Sequence, residues 1–144
     1  MIRKIICVGL FAPFLLMACQ NKKAPSSTYY TPPSAVKELR TVYFDYDKAA
    51  IRDDQADVLI ANSTVLKDNS GWRITIEGHC DERGTNEYNL ALGDRRARGT
   101  KDYLVNLGVD PARMSTMSYG EERPACTEHD ESCWSRNRRA DFVK

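Results

Sequence analysis

The chain has 144 residues, enough for one domain with appendages, and its 21 Lys and Arg against 20 Asp and Glu leave a net charge of +1. So balanced a charge exerts no strong pull toward nucleic acid, and neither a glycine-rich phosphate loop nor a basic–aromatic surface pattern is present. The composition, 42% hydrophobic and 28% charged, is that of an ordinary globular protein.

Arg3 and Lys4 open the chain and precede a nearly all-apolar run from Ile5 to Met17, interrupted by Pro13. The run is short for a bilayer span and fits the h-region of a signal peptide. Leu16-Met17-Ala18-Cys19 resembles a bacterial lipobox, where the signal, residues 1–18, is cut before a cysteine that is then lipidated. Several acyl chains hold a protein at a membrane firmly, whereas one does so marginally. An aspartate after the cysteine retains enteric lipoproteins in the inner membrane; Gln20 stands there instead, which favours the outer membrane. Cleavage would remove Arg3 and Lys4 and take the net charge from +1 to −1. Cys7 leaves with the signal and Cys19 is spent on lipid. Cys80, Cys126 and Cys133 remain in an oxidising compartment, where three cannot all pair and one should be a free thiol.

Residues 19–40 read as the lipidated N-terminus and a flexible tether, with Pro25, Pro32, Pro33 and no apolar periodicity. Fully extended, the tether reaches at most ~70 Å. The domain follows at 41–144. Thr41 to Asp45 is β-branched and aromatic, a first strand. Asp53 is placed to cap a helix in which Ala56, Leu59, Ile60 and Leu66 keep helical spacing to about Asn69. Residues 72–77 alternate as a half-buried strand. The turn 78–85 is dense in charge and leads into a long helix over 86–107, with Thr85 or Asn86 as N-cap and Gly108 as C-cap. Met114 to Tyr119 is a third strand, 121–135 an acidic loop, and Asn137 to Val143 a last strand. The expected fold is α+β, a sheet with helices packed on it.

On the long helix, Asn89, Leu92 and Arg96 share a face that can look toward Asp81 in the turn. A carboxylate and a guanidinium flanking one cleft suit a zwitterion, Asp81 taking its ammonium and Arg96 its carboxylate. Spacing alone favours the plainer alternative, that Asp81 and Arg96 pair with each other as a structural ion pair. Cys126 and Cys133, with six residues between them around His129, are suited to a loop disulfide or, with His129, to three ligands of a metal; the envelope setting favours the disulfide.

The run Gly78-His79-Cys80-Asp81-Glu82-Arg83-Gly84-Thr85, then Glu87-Tyr88-Asn89, Ala91-Leu92-Gly93 and Arg95-Arg96-Ala97, resembles the OmpA-like peptidoglycan-binding domain family, and more narrowly its lipoprotein branch. Val42 to Asp47, Ser118 to Pro124 and Asn137 to Ala140 match further landmarks in order. The resemblance implies a βαβαββ domain with a mixed four-stranded sheet and packed helices, a domain that binds the meso-diaminopimelate residue of peptidoglycan non-covalently. By motif match Asp81 and Arg96 hold the two ends of that side chain, Phe44 and Asp45 line the site from the first strand, and Arg83, Asn89 and Leu92 complete it. It further implies a Tol–Pal role at cell division, with a TolB-like periplasmic partner, and neither cofactor, metal nor catalysis. Cys80 departs from the small residue common there, which raises the competing reading of a periplasmic thiol or metal enzyme using Cys80 or Cys126, His129 and Cys133. A porin tail or motor stator is disfavoured by the lack of a barrel-strand series or true transmembrane helix.

Overall fold

The computed structural model describes residues 38–144, so the signal, the lipobox and all but the last three tether residues lie outside the described residues. The elements run β1 (Val42–Tyr43), α1 (Ala56–Asp68), β2 (Ile74–His79), α2 (Asn86–Asn106), β3 (Met114–Gly120), α3 (Glu131–Asn137) and β4 (Arg139–Val143). They form one mixed sheet in the order β1-β4-β2-β3. The last strand is inserted between β1 and β2 and is antiparallel to both, while β2 and β3 are parallel with α2 as their crossover. This is the expected α+β class with one helix more than the βαβαββ order.

Alternation sets the inner face. Ile74 and Ile76 of β2, Ala140 of β4 and Val42 of β1 are buried against Leu59 and Leu66 of α1 and Ala97 and Leu104 of α2. Each large side chain buried in this way contributes about 1.5–3 kcal/mol. Glycine sets how closely α2 approaches: a Cβ at Gly78 would stand 1.9 Å from the Gly93 carbonyl oxygen, and one at Gly93 2.3 Å from Ser118 Oγ. The helix ends in a Schellman motif, with Gly108 at φ 88°, its N–H bonded to Val105 O at 2.8 Å and the Val109 N–H to Leu104 O at 3.0 Å.

Three local expectations are corrected. Asp53 does not cap α1; it opens a 3₁₀ turn over Asp53–Gln55 that leads into the helix. β1 is only Val42–Tyr43: the Tyr43 N–H goes to Gln55 Oε1 at 3.1 Å, and after a last bond from the Phe44 N–H to Arg138 O at 3.0 Å the chain bends away. The acidic loop ends in α3, and Asn137 closes that helix rather than opening β4. Asp130 caps α3 through the Cys133 N–H at 3.1 Å, and the Asn137 side chain accepts the Ala125 N–H at 2.7 Å. With no apolar stripe, α3 is held by these polar ties. At the domain's entrance, Asn62 of α1 brackets Arg40, taking its N–H at 2.9 Å and donating to its carbonyl at 2.7 Å.

Candidate functional site

β2 ends at His79, and the chain turns through residues 80–85 into α2. Gly84 takes φ 121°, which a side chain would resist, and Thr85 Oγ1 caps the helix on the Tyr88 N–H at 3.2 Å. The turn and the first turns of α2 meet the loop after β1 around a pocket of about 150 Å³, lined by Tyr46, Asp47, Cys80, Asp81, Arg83, Gly84, Tyr88, Asn89, Leu92 and Arg96. A pocket of this size has room for the end of one amino-acid side chain.

Arg96 is fully buried, and its guanidinium is held by main-chain oxygens. Nε donates to Lys48 O at 2.9 Å, Nη1 to His79 O at 2.8 Å and Nη2 to Asp45 O at 3.1 Å. Nη1 also meets Cys80 Sγ at 3.3 Å, and the guanidinium lies 5.2 Å from the Phe44 ring centre. Burial pulls the Arg96 pKa down, with the nearby Cys80 and Asp81 working against that fall. No carboxylate pairs with Arg96 among the described residues; Asp81 pairs elsewhere.

Asp81 Oδ1 accepts the Arg83 backbone N–H at 3.1 Å and Arg83 Nε at 3.2 Å. Its Oδ2 accepts Arg83 Nη2 at 2.7 Å and Arg138 Nη1 at 3.1 Å. Burial works to raise this carboxyl, but the two arginines outweigh it and hold the group below the usual aspartate range. Arg83 is sandwiched between the rings of Tyr46 at 3.9 Å and Trp134 at 4.2 Å. Arg138 also binds Phe44 O at 3.1 Å and the Glu131 carboxylate, so α3 buttresses the arginines.

Asn89 is buried and its Nδ2 braces the turn, reaching Asp81 O at 3.2 Å, Arg83 O at 3.3 Å and Glu121 Oε2 at 2.6 Å. Leu92 forms an apolar wall. Phe44 and Asp45 stand apart from the other expected residues. The Phe44 side chain is core, and the Asp45 carboxylate faces Lys48 at 3.4 Å and Arg52 at 3.7 Å; they reach the site through Arg96, one by its ring and the other by its carbonyl. Tyr46, Asp47, Tyr88 and Arg138 belong to the neighbourhood and were missed. Asp47 holds a left-handed backbone, φ 55°, and accepts a hydrogen bond from the Tyr88 hydroxyl. Its neighbours in the motif Val42 to Asp47 were the available signal.

The enzyme alternative lacks an assembled centre among the described residues. Cys126 and Cys133 are joined in a disulfide, which removes their sulfurs as metal ligands, and His129 binds Glu82 at 2.7 Å. Burial pushes the Cys80 thiol up to about 11, far from a thiolate at neutral pH. The neighbouring His79 ring instead stacks on Tyr119, centroids 5.7 Å apart.

A mixed sheet crossed by α2, with a charged pocket at the β2–α2 turn, defines a class of domain. A sequence profile of the OmpA family matches residues 43–138. The chain is 46% identical over 111 residues to the peptidoglycan-associated lipoprotein of Pseudomonas aeruginosa, covering 77% of this chain and 66% of that protein. It is 40% identical over 151 residues to the peptidoglycan-associated lipoprotein of Mesorhizobium japonicum, covering 96% and 90%. The crystal structure of the peptidoglycan-associated lipoprotein from Burkholderia pseudomallei superimposes with a TM-score of 0.70 at 45% identity, covering 72% of this chain and 88% of that one. The chain therefore belongs to the OmpA family, within its branch of peptidoglycan-associated lipoproteins.

Proposed function

We propose that this chain is an outer-membrane lipoprotein that grips peptidoglycan through the diaminopimelate of its stem peptides. Cys19 carries the lipid, residues 19–40 cross the gap, and the domain faces the periplasm. Two attachments on one chain raise the effective concentration of each for the other, so a modest pocket suffices to hold membrane to wall. The observation that carries this reading is Arg96, a buried cation with no carboxylate partner among the described residues, in a pocket that fits one side-chain end. A ligand carboxylate would supply the missing charge. Diaminopimelate has one carboxylate more than lysine, and lysine in its place would leave the guanidinium unmatched. The ligand's ammonium would lie on the side of the pocket where Asp81 and Asp47 stand, and Arg83, Asn89 and Leu92 hold the remaining walls. Family membership supports the wall-binding role, and a TolB-like partner with Tol–Pal work at division extends it.

The test is co-sedimentation of the full-length chain in detergent with diaminopimelate-type and lysine-type sacculi. The wild type pellets with the first and far less with the second; Arg96→Gln stays in solution with both. Equal pelleting on both wall types would sink the diaminopimelate reading.

A further inference from the structure

We propose that the open edge of the sheet, along β3, pairs with the β3 of a second copy of this chain, antiparallel about a two-fold axis at Met117. In the order β1-β4-β2-β3 the sheet has two edges. An edge strand turns every second N–H and C=O away from its sheet, and folded proteins blunt such edges with short strands, charges, prolines or covering side chains. The β1 edge is blunted in this way. The strand is two residues long, Gln55 takes the Tyr43 N–H, and Asn62 ties up both backbone groups of Arg40 just before it.

β3 lacks these devices along its middle. Met114–Gly120 reads Met-Ser-Thr-Met-Ser-Tyr-Gly, seven residues with no charge and no proline. Its two ends are occupied: Lys101 Nζ donates to Met114 O at 2.7 Å, and the Glu122 N–H to Tyr119 O at 2.8 Å. Between them, no backbone N–H or C=O of residues 115–118 bonds to anything beyond β2 among the described residues. Met117 stands in the centre of this stretch. At 50% it is the most exposed large apolar side chain outside the pocket among the described residues.

The side chains of the strand point to the occupant. A charged segment would find no opposite charge on β3, whereas an identical strand meets it with no like charges facing. Two-fold antiparallel pairing keeps the outer faces of both copies on one side. Centring it on Met117 sets the two exposed methionines directly opposite, about 4.5–5.5 Å apart at Cα, with Thr116 opposite Ser118 and Ser115 opposite Tyr119. The two four-stranded sheets then run on as one. Copies joined in this way carry two pockets, which strengthens their hold on a repeating polymer. That consequence rests on the wall-binding reading above; the pairing itself does not.

The experiment is sedimentation equilibrium of the full-length chain in density-matched detergent, with cysteine cross-linking as a second readout. Wild type is expected to form a dimer as its concentration rises. Met117→Lys sets two ammonium groups against each other on the axis and should weaken that dimer at least about tenfold, with the melting temperature unchanged. Met117→Cys should give a disulfide-linked dimer under mild oxidation, because directly opposite strand positions fall within the Cα range of a disulfide, about 4.4–6.8 Å. Thr64→Cys, exposed on α1, should not. A wild type that stays monomeric, an undiminished dimer in Met117→Lys, or cross-linking no faster in Met117→Cys than in Thr64→Cys overturns the proposal. None of these outcomes bears on sacculus binding, which co-sedimentation reads separately.

Discussion

Asp81 and Arg96 line one pocket and do not pair with each other. Asp81 is bonded to Arg83 and Arg138, while Arg96 is held by the carbonyls of Asp45, Lys48 and His79. The cation is thus oriented on three sides and, among the described residues, left without a carboxylate bonded to it. Arg96→Lys keeps the charge and loses the fork. One ammonium cannot serve three carbonyls spread around a planar group, so stability should fall by about 1–3 kcal/mol. Binding to diaminopimelate-type sacculi should fall at least about tenfold, read by co-sedimentation alongside urea unfolding. Wild-type binding by this variant would mean that charge alone is enough.

Asp81→Ala removes the shared partner of two arginines, one of them, Arg138, nearly fully buried. Breaking a buried pair from one side costs about 3–5 kcal/mol. A double-mutant cycle with Arg138→Met should recover part of that loss, because a buried cation left, among the described residues, with Glu131 as its one carboxylate partner goes as well. Strictly additive effects in urea unfolding would refute the coupling. Lost wall binding in Asp81→Ala alone therefore reports the fold as much as the site.

Gly78→Ala or Gly93→Ala should drive α2 away from β2, since either Cβ would overlap its neighbour's backbone or Ser118. Overpacking of this kind costs about 1–3 kcal/mol, and the backbone contact puts these variants at or above the upper end. A melting temperature unchanged in both would show that the helix can ride higher without loss.

His79 is fully enclosed between Glu77, Asp141, Tyr119, Arg139 and Arg123, and both its ring nitrogens lack partners among the described residues. Burial, aided by Arg139, lowers its pKa from 6.5 to about 4. Between those values the unfolded chain binds more protons, so stability is complete above pH 6.5 and declines as the pH falls toward 4. Asp81, with its own pKa lowered, adds a further loss below 3.8. His79→Phe should flatten the melting temperature between pH 6.5 and 4 and change it little at pH 7.5. An unaltered slope in the variant would assign the acid sensitivity to other groups.

The Cys126–Cys133 disulfide closes a short loop before α3. Chain-entropy reasoning for a loop this short gives about 2–3 kcal/mol. Replacing both cysteines by serine should lower the melting temperature accordingly. It should also weaken sacculus binding, because α3 carries the Trp134 and Glu131 that hold Arg83 and Arg138. A variant with a lowered melting temperature and intact binding would confine the bridge to stability.

Much of this was legible in the residues. β2 and the two long helices follow from local periodicity, and the Gly108 cap follows from the residue type. Asn89, Leu92 and Arg96 fall together because helical spacing is a local property. α3 was not legible, because Asp130, Asn137 and the disulfide hold it in place of an apolar stripe. The pairing of Asp81 was hidden for a related reason. Its second partner, Arg138, arrives from 57 residues further along the chain, and no spacing rule reaches that far. Asp47 was missed as a pocket-lining residue because its place there comes from a left-handed backbone and the Tyr88 hydroxyl of α2, which no local pattern shows.

The Asn62 bracket on Arg40 has a mechanical meaning. Load entering the domain from its N-terminal side meets those two hydrogen bonds before it reaches β1. β1 is a two-residue edge strand, and four residues separate it from Lys48, whose carbonyl steadies Arg96. The bracket is therefore a strain relief: it anchors the incoming chain to α1, so that a tug from that side is spent on a helix and not on the pocket wall.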